Sequence, residues 1–388
     1  MVEWKKLGEV CNVYDGTHQT PKYTDCGIKF VSVENIHAPY NSNKYISEDD
    51  YIKKYKTKPQ QGDVLMTRIG DIGTCTVLNR EEPIAYYVSL ALLRPNQDLV
   101  QSNYVKYILE SNTGKKELRK KTLLTAVPLK INLGDVGKIS IPIPSLSEQQ
   151  RIVSILDTFT SSISNLKQQI EERRKQYEYE RDLLLDLEGK EGVEMKTIQD
   201  VCKKICSGGT PSTSHKEYYE GNIPWLRTQE IDWKEIYDTE IKITEEAIAN
   251  SSAKLIAENC VIVAMYGATA AKVAINKIPL STNQACCNLE IDNNIASFKY
   301  VYYWLCKEYQ NLKSMGEGSQ NNINGQKVKN YPISIPPLST QSRIVSILDT
   351  FEQSISNLEE QLAMREKQYE YYRNQLLTFE GEEERGKT

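Results

Sequence analysis

The chain contains the stretch IPSLSEQQRIVSILDTFTSSISNLKQQIEERRKQYEYERDLLLDLEG (143–189) and repeats it as IPPLSTQSRIVSILDTFEQSISNLEEQLAMREKQYEYYRNQLLTFEG (335–381). The two copies align without a gap at an offset of 192 (335 minus 143), and about two-thirds of their positions are identical. In each copy apolar residues recur at alternating spacings of four and three, the heptad pattern of a helix that packs along another helix. We therefore predict two long helices, each roughly 60 Å long at about 1.5 Å per residue.

The heptad positions define a predicted helix–helix seam. Arg173 and Arg365 interrupt the two seams at the same place. A polar residue there can set the register, or its aliphatic stem can lie along the seam with the charge in solvent. An exposed apolar seam needs a partner, and the natural partner is the other copy. The seam residues are Ile152, Leu156, Phe159, Ile163 and Leu166, with Ile344, Leu348, Phe351, Ile355 and Leu358 in the second copy.

The segments between the helices echo each other weakly. GDVLMTRIGDIG (62–73) aligns with NCVIVAMYGATA (259–270), which places Gly70 on Gly267. β-Branched and aromatic runs between Asp, Asn and Gly turns predict mixed α and β structure in both segments. The expected fold class is α+β, with two mixed globular domains and two long helices packed as an antiparallel coiled coil in a pseudo-two-fold internal repeat. The predicted boundaries are 1–143 for domain one, 144–190 for helix one, 191–335 for domain two, and 336–388 for helix two with an acidic tail.

The composition narrows the class of protein. The chain has 388 residues, net charge −4, nine cysteines and three histidines, and no run of about 18 apolar residues. We therefore expect a cytoplasmic protein with reduced thiols, no metal site and no membrane insertion. The net charge alone disfavours nucleic-acid binding, but residues 1–140 carry 20 basic and 16 acidic side chains (+4), whereas 333–388 carry 6 and 10 (−4). The first domain is thus mildly basic.

The start of each helix carries the pattern PLxxQxxIVxxLD. It comprises Pro144, Leu146, Gln149, Ile152, Val153, Leu156 and Asp157, and then Pro336, Leu338, Gln341, Ile344, Val345, Leu348 and Asp349. The order of variable domain, PLxxQxxIVxxLD helix, second variable domain and second such helix resembles the specificity (S) subunit of type I restriction–modification systems. The resemblance covers nearly the whole chain.

The resemblance implies a function and partners. Each domain would read one half of a bipartite, asymmetric site on double-stranded DNA, and the helices would set the spacer and dock two methyltransferase (M) subunits. By the same resemblance, S-adenosylmethionine belongs to the M subunit, and ATP with Mg belongs to a restriction (R) subunit in those complexes that contain one. This chain would hold no cofactor and no catalytic residue. Consistent with this, it lacks a GxxxxGK[ST] loop and an adenine-methyltransferase [ND]PPY motif.

Candidate DNA contacts in the first domain are polar or basic. Arginine pairs with guanine, amides pair with adenine, and lysine or hydroxyl groups hold phosphates. We expect the turn around Gly70 to present Thr67, Arg68 and Asp71, and the loop after Gly16 to present His18 and Gln19. A basic helix is expected to face phosphates with Lys115, Lys116, Arg119, Lys120 and Lys121. Each of these residues is also compatible with an ordinary solvated turn or helix face.

In the second domain the matching turn carries Tyr266 and Thr269. Arg227 is the only arginine in 191–332 and is the favoured base reader, followed by Thr228 and Gln229. Asn283 and Gln284 suit adenine, or they form a buried amide pair. The polar run 319–324 supplies further candidates, Gln320, Asn321 and Asn322.

Two other classes of protein remain open at this stage. A non-catalytic coiled-coil adaptor that holds two protein-binding domains apart would show the same heptads and repeats. A diverged nuclease or methyltransferase would need clustered acids or a cofactor loop, which neither domain shows. Tyrosines near the far ends of the helices are candidates for docking the M subunits, since tyrosine is favoured at interfaces: Tyr177, Tyr179, Tyr369, Tyr371 and Tyr372.

Overall fold

The computed structural model describes residues 2–317 and 322–379 and divides into two compact units. Unit 1 is formed by residues up to 167 together with those from 360 onwards, and unit 2 by residues 168–359. Each unit therefore contains one globular head, the start of one long helix and the end of the other. We call Glu3–Ile143 head 1 and Glu194–Ile335 head 2.

Head 1 is built on two four-stranded sheets and a two-stranded ribbon. The sheet orders are β2-β9-β6-β7, which is antiparallel, and β3-β5-β4-β8, in which β4 and β8 run parallel; β1 pairs with β10 in the ribbon. The elements are β1 (Glu3–Lys6), α1 (Leu7–Val10), β2 (Cys11–Asp15), β3 (Tyr23–Thr24), β4 (Ile28–Val31), β5 (Tyr45–Ile46), α2 (Glu48–Lys54), β6 (Val64–Thr67), β7 (Cys75–Val77), β8 (Ile84–Tyr86), β9 (Leu90–Pro95), α3 (Ser102–Glu110), α4 (Asn112–Lys121), α5 (Leu133–Val136) and β10 (Ser140–Ile143).

Head 2 repeats this plan with eleven strands in place of ten: the short strands β14 and β16 are added, and its described residues have no counterpart of β3. The sheet orders are β12-β20-β17-β18-β14 and β15-β13-β19-β16, and β11 pairs with β21 in the ribbon. The elements are β11 (Glu194–Thr197), β12 (Cys202–Ser207), β13 (Ile223–Leu226), β14 (Glu235–Ile236), β15 (Ile241–Ile243), α7 (Glu245–Ala249), β16 (Leu255–Ile256), β17 (Val261–Ala264), β18 (Val273–Asn276), β19 (Leu280–Thr282), β20 (Cys286–Ile291), α8 (Phe298–Lys307), α9 (Tyr309–Ser314), α10 (Gly325–Lys329) and β21 (Pro332–Ile335).

The two long helices are α6 (Leu146–Leu184) and α11 (Leu338–Leu376), of 39 residues each. In unit 1 the ring of Phe159 stacks on Tyr372 at 5.3 Å, so the start of α6 packs on the end of α11. In unit 2 Phe351 packs on Tyr177 at 6.4 Å, so the start of α11 packs on the end of α6. The predicted antiparallel packing is confirmed. Within the described residues, no helix is both long and apolar enough to cross a membrane.

The two interrupting arginines lie over aromatic rings of the opposite helix. The guanidinium of Arg365 is 5.7 Å from the ring centre of Phe159, and that of Arg173 is 5.8 Å from that of Phe351. Each arginine thus contributes a cation–π contact to the helix pair. Its stem and charge lie against the facing ring, which accounts for a charged residue in an otherwise apolar seam.

The first seam positions pack in the core of a head as well as beside the other long helix. Ile152 and Leu156 are fully buried in the core of head 1, and Ile344 and Leu348 in the core of head 2. Each of these clusters consists mainly of head residues, and the end of the other long helix also contributes, through Leu376 in head 1 and Leu184 in head 2. From Phe159 and Phe351 onwards the ring contacts join helix to helix, while Ile163, Leu166, Ile355 and Leu358 are half-buried.

A buried glutamine attaches each head to its helix. The amide of Gln149, 0% exposed, accepts a hydrogen bond from Gln101 N (2.9 Å) and donates to Leu99 O (3.0 Å) and Pro144 O (2.9 Å). Gln341 makes the equivalent three bonds, with Ser297 N, Ile295 O and Pro336 O. Because these partners are backbone groups, the attachment is independent of the head's side chains. This geometry explains the glutamine of the PLxxQxxIVxxLD pattern.

The aspartate of the same pattern makes a second attachment. Asp157 accepts from the Tyr107 hydroxyl at 2.5 Å, and Asp349 accepts from Tyr303 at 2.7 Å. Burial is the main cause that raises the pKa of both tyrosines, and the bond to the carboxylate raises it further, so each hydroxyl keeps its proton and donates it. Asp349 also pairs with Lys299 at 2.9 Å.

We expect Gln149→Ala to lower the free energy of unfolding by about 3 kcal/mol or more. The substitution leaves one N–H and two carbonyl oxygens, of which the Pro144 oxygen is buried and the other two groups are partly buried, without this partner. The cost is about 1–3 kcal/mol for each unsatisfied group when it is buried. Gln150→Ala is the matched control because that neighbouring side chain is exposed. Urea unfolding of the two variants measures the difference. Equal stabilities would contradict the proposed role of the buried amide.

Glu352 is a buried-side charge that the repeat does not keep, since Thr160 stands at the equivalent place. Its carboxylate accepts from Tyr303 at 2.9 Å and from Tyr177 at 3.3 Å, beside a cleft of about 850 Å³. Burial raises the pKa of Glu352, with a further increase from Asp349 that Lys299 opposes. The folded state therefore holds this proton more tightly than the unfolded chain does.

Glu352→Gln is expected to stabilise the protein increasingly as the pH rises above 4.5, the ordinary value for this carboxyl. A raised pKa means that stability falls as the pH passes through the folded-state value, because the charged form is disfavoured inside. The uncharged amide of the Glu352→Gln variant does not lose stability as the pH rises, and its oxygen can still accept a hydrogen bond from a tyrosine. Urea unfolding at pH 4, 6 and 8 measures the effect, with exposed Glu370→Gln as control. A pH-independent difference would refute the assignment.

Candidate nucleic-acid interface

Four loops of head 1 come together beside the strand ends. Loop 16–21 joins the β8–β9 connection through Thr17 N to Tyr86 O at 3.2 Å. The turn 68–73 joins the same connection through Arg68 N to Ser89 O at 2.9 Å. The segment 122–131 pairs with that turn through Gly70 N to Leu129 O at 2.8 Å. We call these four segments, 16–21, 68–73, 87–89 and 122–131, loop cluster 1.

Head 2 brings the equivalent loops together with equivalent bonds. Gly209 N donates to Thr282 O at 2.9 Å, and Met265 N donates to Ala285 O at 2.8 Å. Ile323 N donates to Met265 O at 2.8 Å, as Ile131 N does to Arg68 O at 2.9 Å in head 1. Loop cluster 2 consists of the described parts of 208–211, 265–271, 283–285 and 316–323. The backbone framework is therefore shared, and the side chains on it differ.

One glycine in each cluster permits a close approach of two loops. A Cβ atom on Gly16 would lie 2.4 Å from the carbonyl carbon and oxygen of Tyr87. A Cβ on Gly208 would lie 2.0 Å from the carbonyl oxygen of Thr282. The atoms that would clash are backbone atoms, which cannot rotate away as a side chain can. The absence of a side chain is thus a condition for assembling each cluster.

Two of the residues predicted for the Gly70 turn are buried. Arg68 is only 6% exposed and donates to Asp15 Oδ1 at 2.7 Å and to Ile131 O at 3.2 Å. Thr67 is fully buried, and its hydroxyl accepts from Thr74 N at 2.9 Å. The expectation that the turn presents both side chains is wrong, because both hold the turn in place.

The other residues predicted on loop cluster 1 are exposed. His18, Gln19 and Asp71 all face solvent on the cluster. His18 Nε2 lies 2.7 Å from Asp15 Oδ2, so Asp15 connects the exposed histidine to the buried Arg68. Asp71 accepts from the Thr74 hydroxyl at 2.5 Å. The sequence did not single out Asp15, since its link to Arg68 spans 53 positions.

The basic segment forms α4, as predicted, and leads directly into segment 122–131. Leu118 on its inner face packs against Gly73, where a Cβ would lie 2.5 Å from Leu118 Cδ1. Lys115, Lys116, Arg119 and Lys120 are exposed, Lys121 is half-buried, and Lys120 pairs with Glu117 at 2.7 Å. Among the described residues, Lys115, Lys116 and Arg119 have no carboxylate within 4.0 Å. Loop cluster 1 is therefore bordered by uncompensated positive charge.

Arg227 in head 2 is tied to carboxylates. Its guanidinium pairs with Glu240 at 2.5 Å and with Glu230 at 3.5 Å, and Thr228 beside it is half-buried. Gln229 is exposed and, with its amide oriented to accept, bonds to the same guanidinium at 2.9 Å. Arg227 is thus less available than a free arginine, although its segment lies beside the turn Gly267–Thr269. Lys272 and Lys327 near this cluster are likewise paired, with Asp232 and Glu317.

The other predicted residues of head 2 divide into exposed and supporting side chains. Tyr266 and Gln284 are exposed, and Gln284 accepts from the Thr210 hydroxyl across two loops. Thr269 and Asn283 are half-buried, and Asn283 accepts from the Cys286 thiol at 3.2 Å. Asn322 accepts from Gly267 N at 3.3 Å and so supports the turn. Gln320 and Asn321 lie outside the described residues.

The part of the chain that the structure describes contains no group of three or more His, Cys, Asp or Glu side chains arranged to hold a metal ion. Its cysteines are free thiols, and burial raises the pKa of Cys11 and Cys260 to about 12, so these thiols stay protonated. The clusters offer amides, hydroxyls, an imidazole and cations, which are groups for binding.

The fold and the two clusters define a protein with two equivalent heads, each joined to one of two paired helices and each carrying its own set of exposed side chains. The family model of the type I restriction modification DNA specificity domain matches residues 1–173 and 190–364. The chain therefore belongs to the family of type I restriction–modification DNA specificity proteins.

Curated relatives agree with the family assignment. The chain is 36% identical over 260 residues to the EcoR124I/EcoR124II specificity subunit of Escherichia coli, covering 62% of this chain and 63% of that one. It is 31% identical over 196 residues to the MjaIX specificity subunit of Methanocaldococcus jannaschii, covering 48% and 44%. These two matches span less than two-thirds of the relatives' length. A putative specificity subunit of Haemophilus influenzae is 28% identical over 411 residues, covering 97% and 96%.

Solved structures share the fold along the whole chain. The S subunit of a type I restriction–modification system from M. genitalium superposes with a TM-score of 0.62 at 14% identity, covering 98% of this chain and 97% of that one. A chain from a structure on complex assembly and conformational transition of the type I R-M system gives 0.63 at 19% identity, covering 97% and 96%.

Proposed function

We propose that this chain is the DNA-recognition subunit of a type I restriction–modification complex. Each head reads one half of a bipartite DNA site through its loop cluster, and the two long helices set the unread spacer. The chain itself is non-catalytic. The observation that carries the proposal is the pair of loop clusters, built on one hydrogen-bonded framework and displaying different exposed side chains.

The exposed residues are suited to duplex DNA. Gln19 and Gln284 offer bidentate amides to adenine, and Tyr266 offers a ring and a hydroxyl. The unpaired cations of α4 suit phosphates, which position a protein on the duplex without specifying sequence. Since head 2 neutralises most of its own cations, we propose that head 1 supplies the larger part of the backbone contacts from this chain.

Partners follow from the same proposal. Two methyltransferase subunits dock on the helices, where Tyr179 and Tyr371 are exposed and Tyr372 is only partly covered by Phe159. Tyr177 and Tyr369 face inward against the core clusters and are less suited to docking. S-adenosylmethionine would bind to those subunits, and ATP with Mg to a restriction subunit where one is present. Chemistry on DNA would therefore reside outside this chain.

The test is a methylation map of a plasmid co-expressed with this chain and its cognate methyltransferase subunit. We expect adenine methylation at a two-part motif with a constant gap. A control that omits the chain should show none of it. If the methyltransferase subunit is folded and bound but no new methylation appears, the proposal fails and the coiled-coil adaptor becomes the better explanation.

Replacing Lys115, Lys116 and Arg119 by glutamine is expected to reduce the salt dependence of DNA binding. The binding constant falls with salt, and each phosphate contact contributes about −0.9 to the slope of log K against log salt. The slope of the triple variant should therefore be less steep by up to about 2.7. Sequence preference should be unchanged, because phosphates carry no base information. Titrations of the methyltransferase complex at several salt concentrations measure the slope. A Lys5→Gln, Lys6→Gln variant on β1 is the control. Equal slopes for the triple variant and the unaltered chain would contradict the placement of α4 against phosphates.

A further inference from the structure

Segment 123–129, LLTAVPL, is an unusually apolar stretch on the surface of head 1. Leu124 is 60% exposed and Val127 is 99% exposed, and Leu123 and Leu129 are also exposed. The residues on either side, Leu118 and Ile131, are buried, so the segment leaves the core and returns to it. Clustered exposed apolar residues of this kind mark a surface that binds something. We call 123–129 the apolar loop.

The apolar loop is held to the recognition framework. Leu123 N donates to Lys130 O at 2.8 Å and closes its base, and Leu129 O accepts from Gly70 N at 2.8 Å. It is therefore one edge of loop cluster 1. Exposed Lys130 and half-buried Lys121 flank it, and the cations of α4 lie immediately before it in the chain.

The equivalent segment of head 2 has a different character. Residues 315–322 read MGEGSQNN and are mostly small or polar. Among those described, Glu317 pairs with Lys327, and Asn322 supports the Gly267 turn. The apolar sequence is therefore not demanded by the shared fold, since the described residues of head 2 form the same framework and the sequence there is mostly polar. A role specific to head 1 accounts for this difference.

We propose that the apolar loop inserts Leu124 and Val127 between two adjacent base pairs of the half-site that head 1 reads. This inference rests on the proposed function. Apolar side chains that enter a base step unstack it and kink the duplex, and the bend lets flanking cations reach more phosphates. Lysines beside an apolar tip match a duplex, which presents stacked bases between two rows of negative charge.

The insertion makes head 1 a reader of DNA deformability. Pyrimidine–purine steps unstack more easily than others, so the loop favours such a step without a hydrogen bond to either base. Head 2, with its polar loop, reads by base edges and shape alone. The two halves of the site are thus recognised by different physical means.

The experiment uses the complete complex of this chain with its methyltransferase subunits. Duplexes carry 2-aminopurine at successive positions of the head 1 half-site, because this base fluoresces more strongly when it is unstacked. A methyltransferase subunit flips its own target adenine out of the stack, so that position is left out of the comparison. We expect one other position to brighten on binding and to stay dim with Leu124→Ser, Val127→Ser. The double variant should bind the site roughly ten- to a hundredfold more weakly. Met315→Ser, in the equivalent loop of head 2, is the matched control and should behave as the unaltered chain.

The outcomes separate this inference from the proposed function. Tight, sequence-specific binding by both the unaltered chain and the double variant, with no brightening outside the methylated adenine, overturns the insertion and leaves the proposed function intact. Loss of the methyltransferase subunits from the double variant during purification makes the loop a protein-docking surface and also overturns it. If the unaltered complex binds no specific sequence, both proposals fail. Because both substituted side chains are exposed, unchanged thermal unfolding of the variant checks that it is folded.

Discussion

A chain in which Glu194–Ile335 replaces Glu3–Ile143 should direct methylation to a site that contains the head 2 half-sequence twice. The junctions are equivalent, because Glu3 pairs with Ile143 in one ribbon and Glu194 pairs with Ile335 in the other. We expect methylation of the original site to fall to background, since specific sites are preferred by about 10³-fold or more over others.

The exchange is expected to fold because each head is attached to its helix largely through its backbone. In the exchanged chain Gln149 would bond to the same backbone amide and carbonyl groups of head 2 that Gln341 bonds to in the unaltered chain. Two side-chain contacts would change. Asp157 would receive Lys299 where it now has Asn103 at 3.5 Å, which is favourable. Tyr303 would meet Thr160 in place of Glu352, as Tyr107 does now at 3.4 Å.

Sequencing of methylated plasmid from cells that hold the exchanged chain and the methyltransferase subunit provides the measurement. The reciprocal exchange, head 1 in both places, is the control and should yield the other half-sequence twice. A motif that keeps the head 1 half-sequence after head 1 has been removed would disprove independent reading by the heads.

The two long helices and the internal repeat were predictable because they depend on the local spacing of apolar residues, which the sequence shows directly. The gapless repeat at an offset of 192 and the heptad spacing specify two equal helices, and both are 39 residues long. What covers their first turns was not predictable from the heptads. An apolar position such as Ile152 reads the same whether a helix or a head packs on it, and only the buried Gln149 within the pattern distinguishes the two.

The candidate site was predictable in place and only partly in detail. The turns at Gly70 and Gly267 do lie on the two loop clusters, but an arginine in a polar turn gives no sign of its partner. Arg68 is held by Asp15, 53 positions away, and Arg227 by Glu240, 13 positions away. Such pairings depend on tertiary contacts. The apolar loop was visible as LLTAVPL, yet its exposure could be learned only from the fold.

Gly16→Ala should remove recognition by head 1, and Gly208→Ala should remove recognition by head 2. A methyl group at Gly16 would lie 2.4 Å from the backbone of Tyr87, about 1 Å inside normal contact, so loop 16–21 must move away. That movement breaks the bond from Thr17 N to Tyr86 O and displaces Asp15, which orients both His18 and Arg68. A misplacement of about 1 Å can cost roughly 10²-fold in function, so we expect methylation of the full site to fall by about two orders of magnitude.

Gly134→Ala is the matched control, because its Cβ would meet nothing within 4 Å and alanine is the better helix former. The readout is binding of each complex to duplexes in which one half of the site is scrambled. For Gly16→Ala, scrambling the head 1 half should cost no further affinity, whereas scrambling the head 2 half should still weaken binding. Gly208→Ala should reverse the pattern, which a general loss of folding would not do. Full sensitivity to both halves in Gly16→Ala would show that recognition does not depend on this loop arrangement.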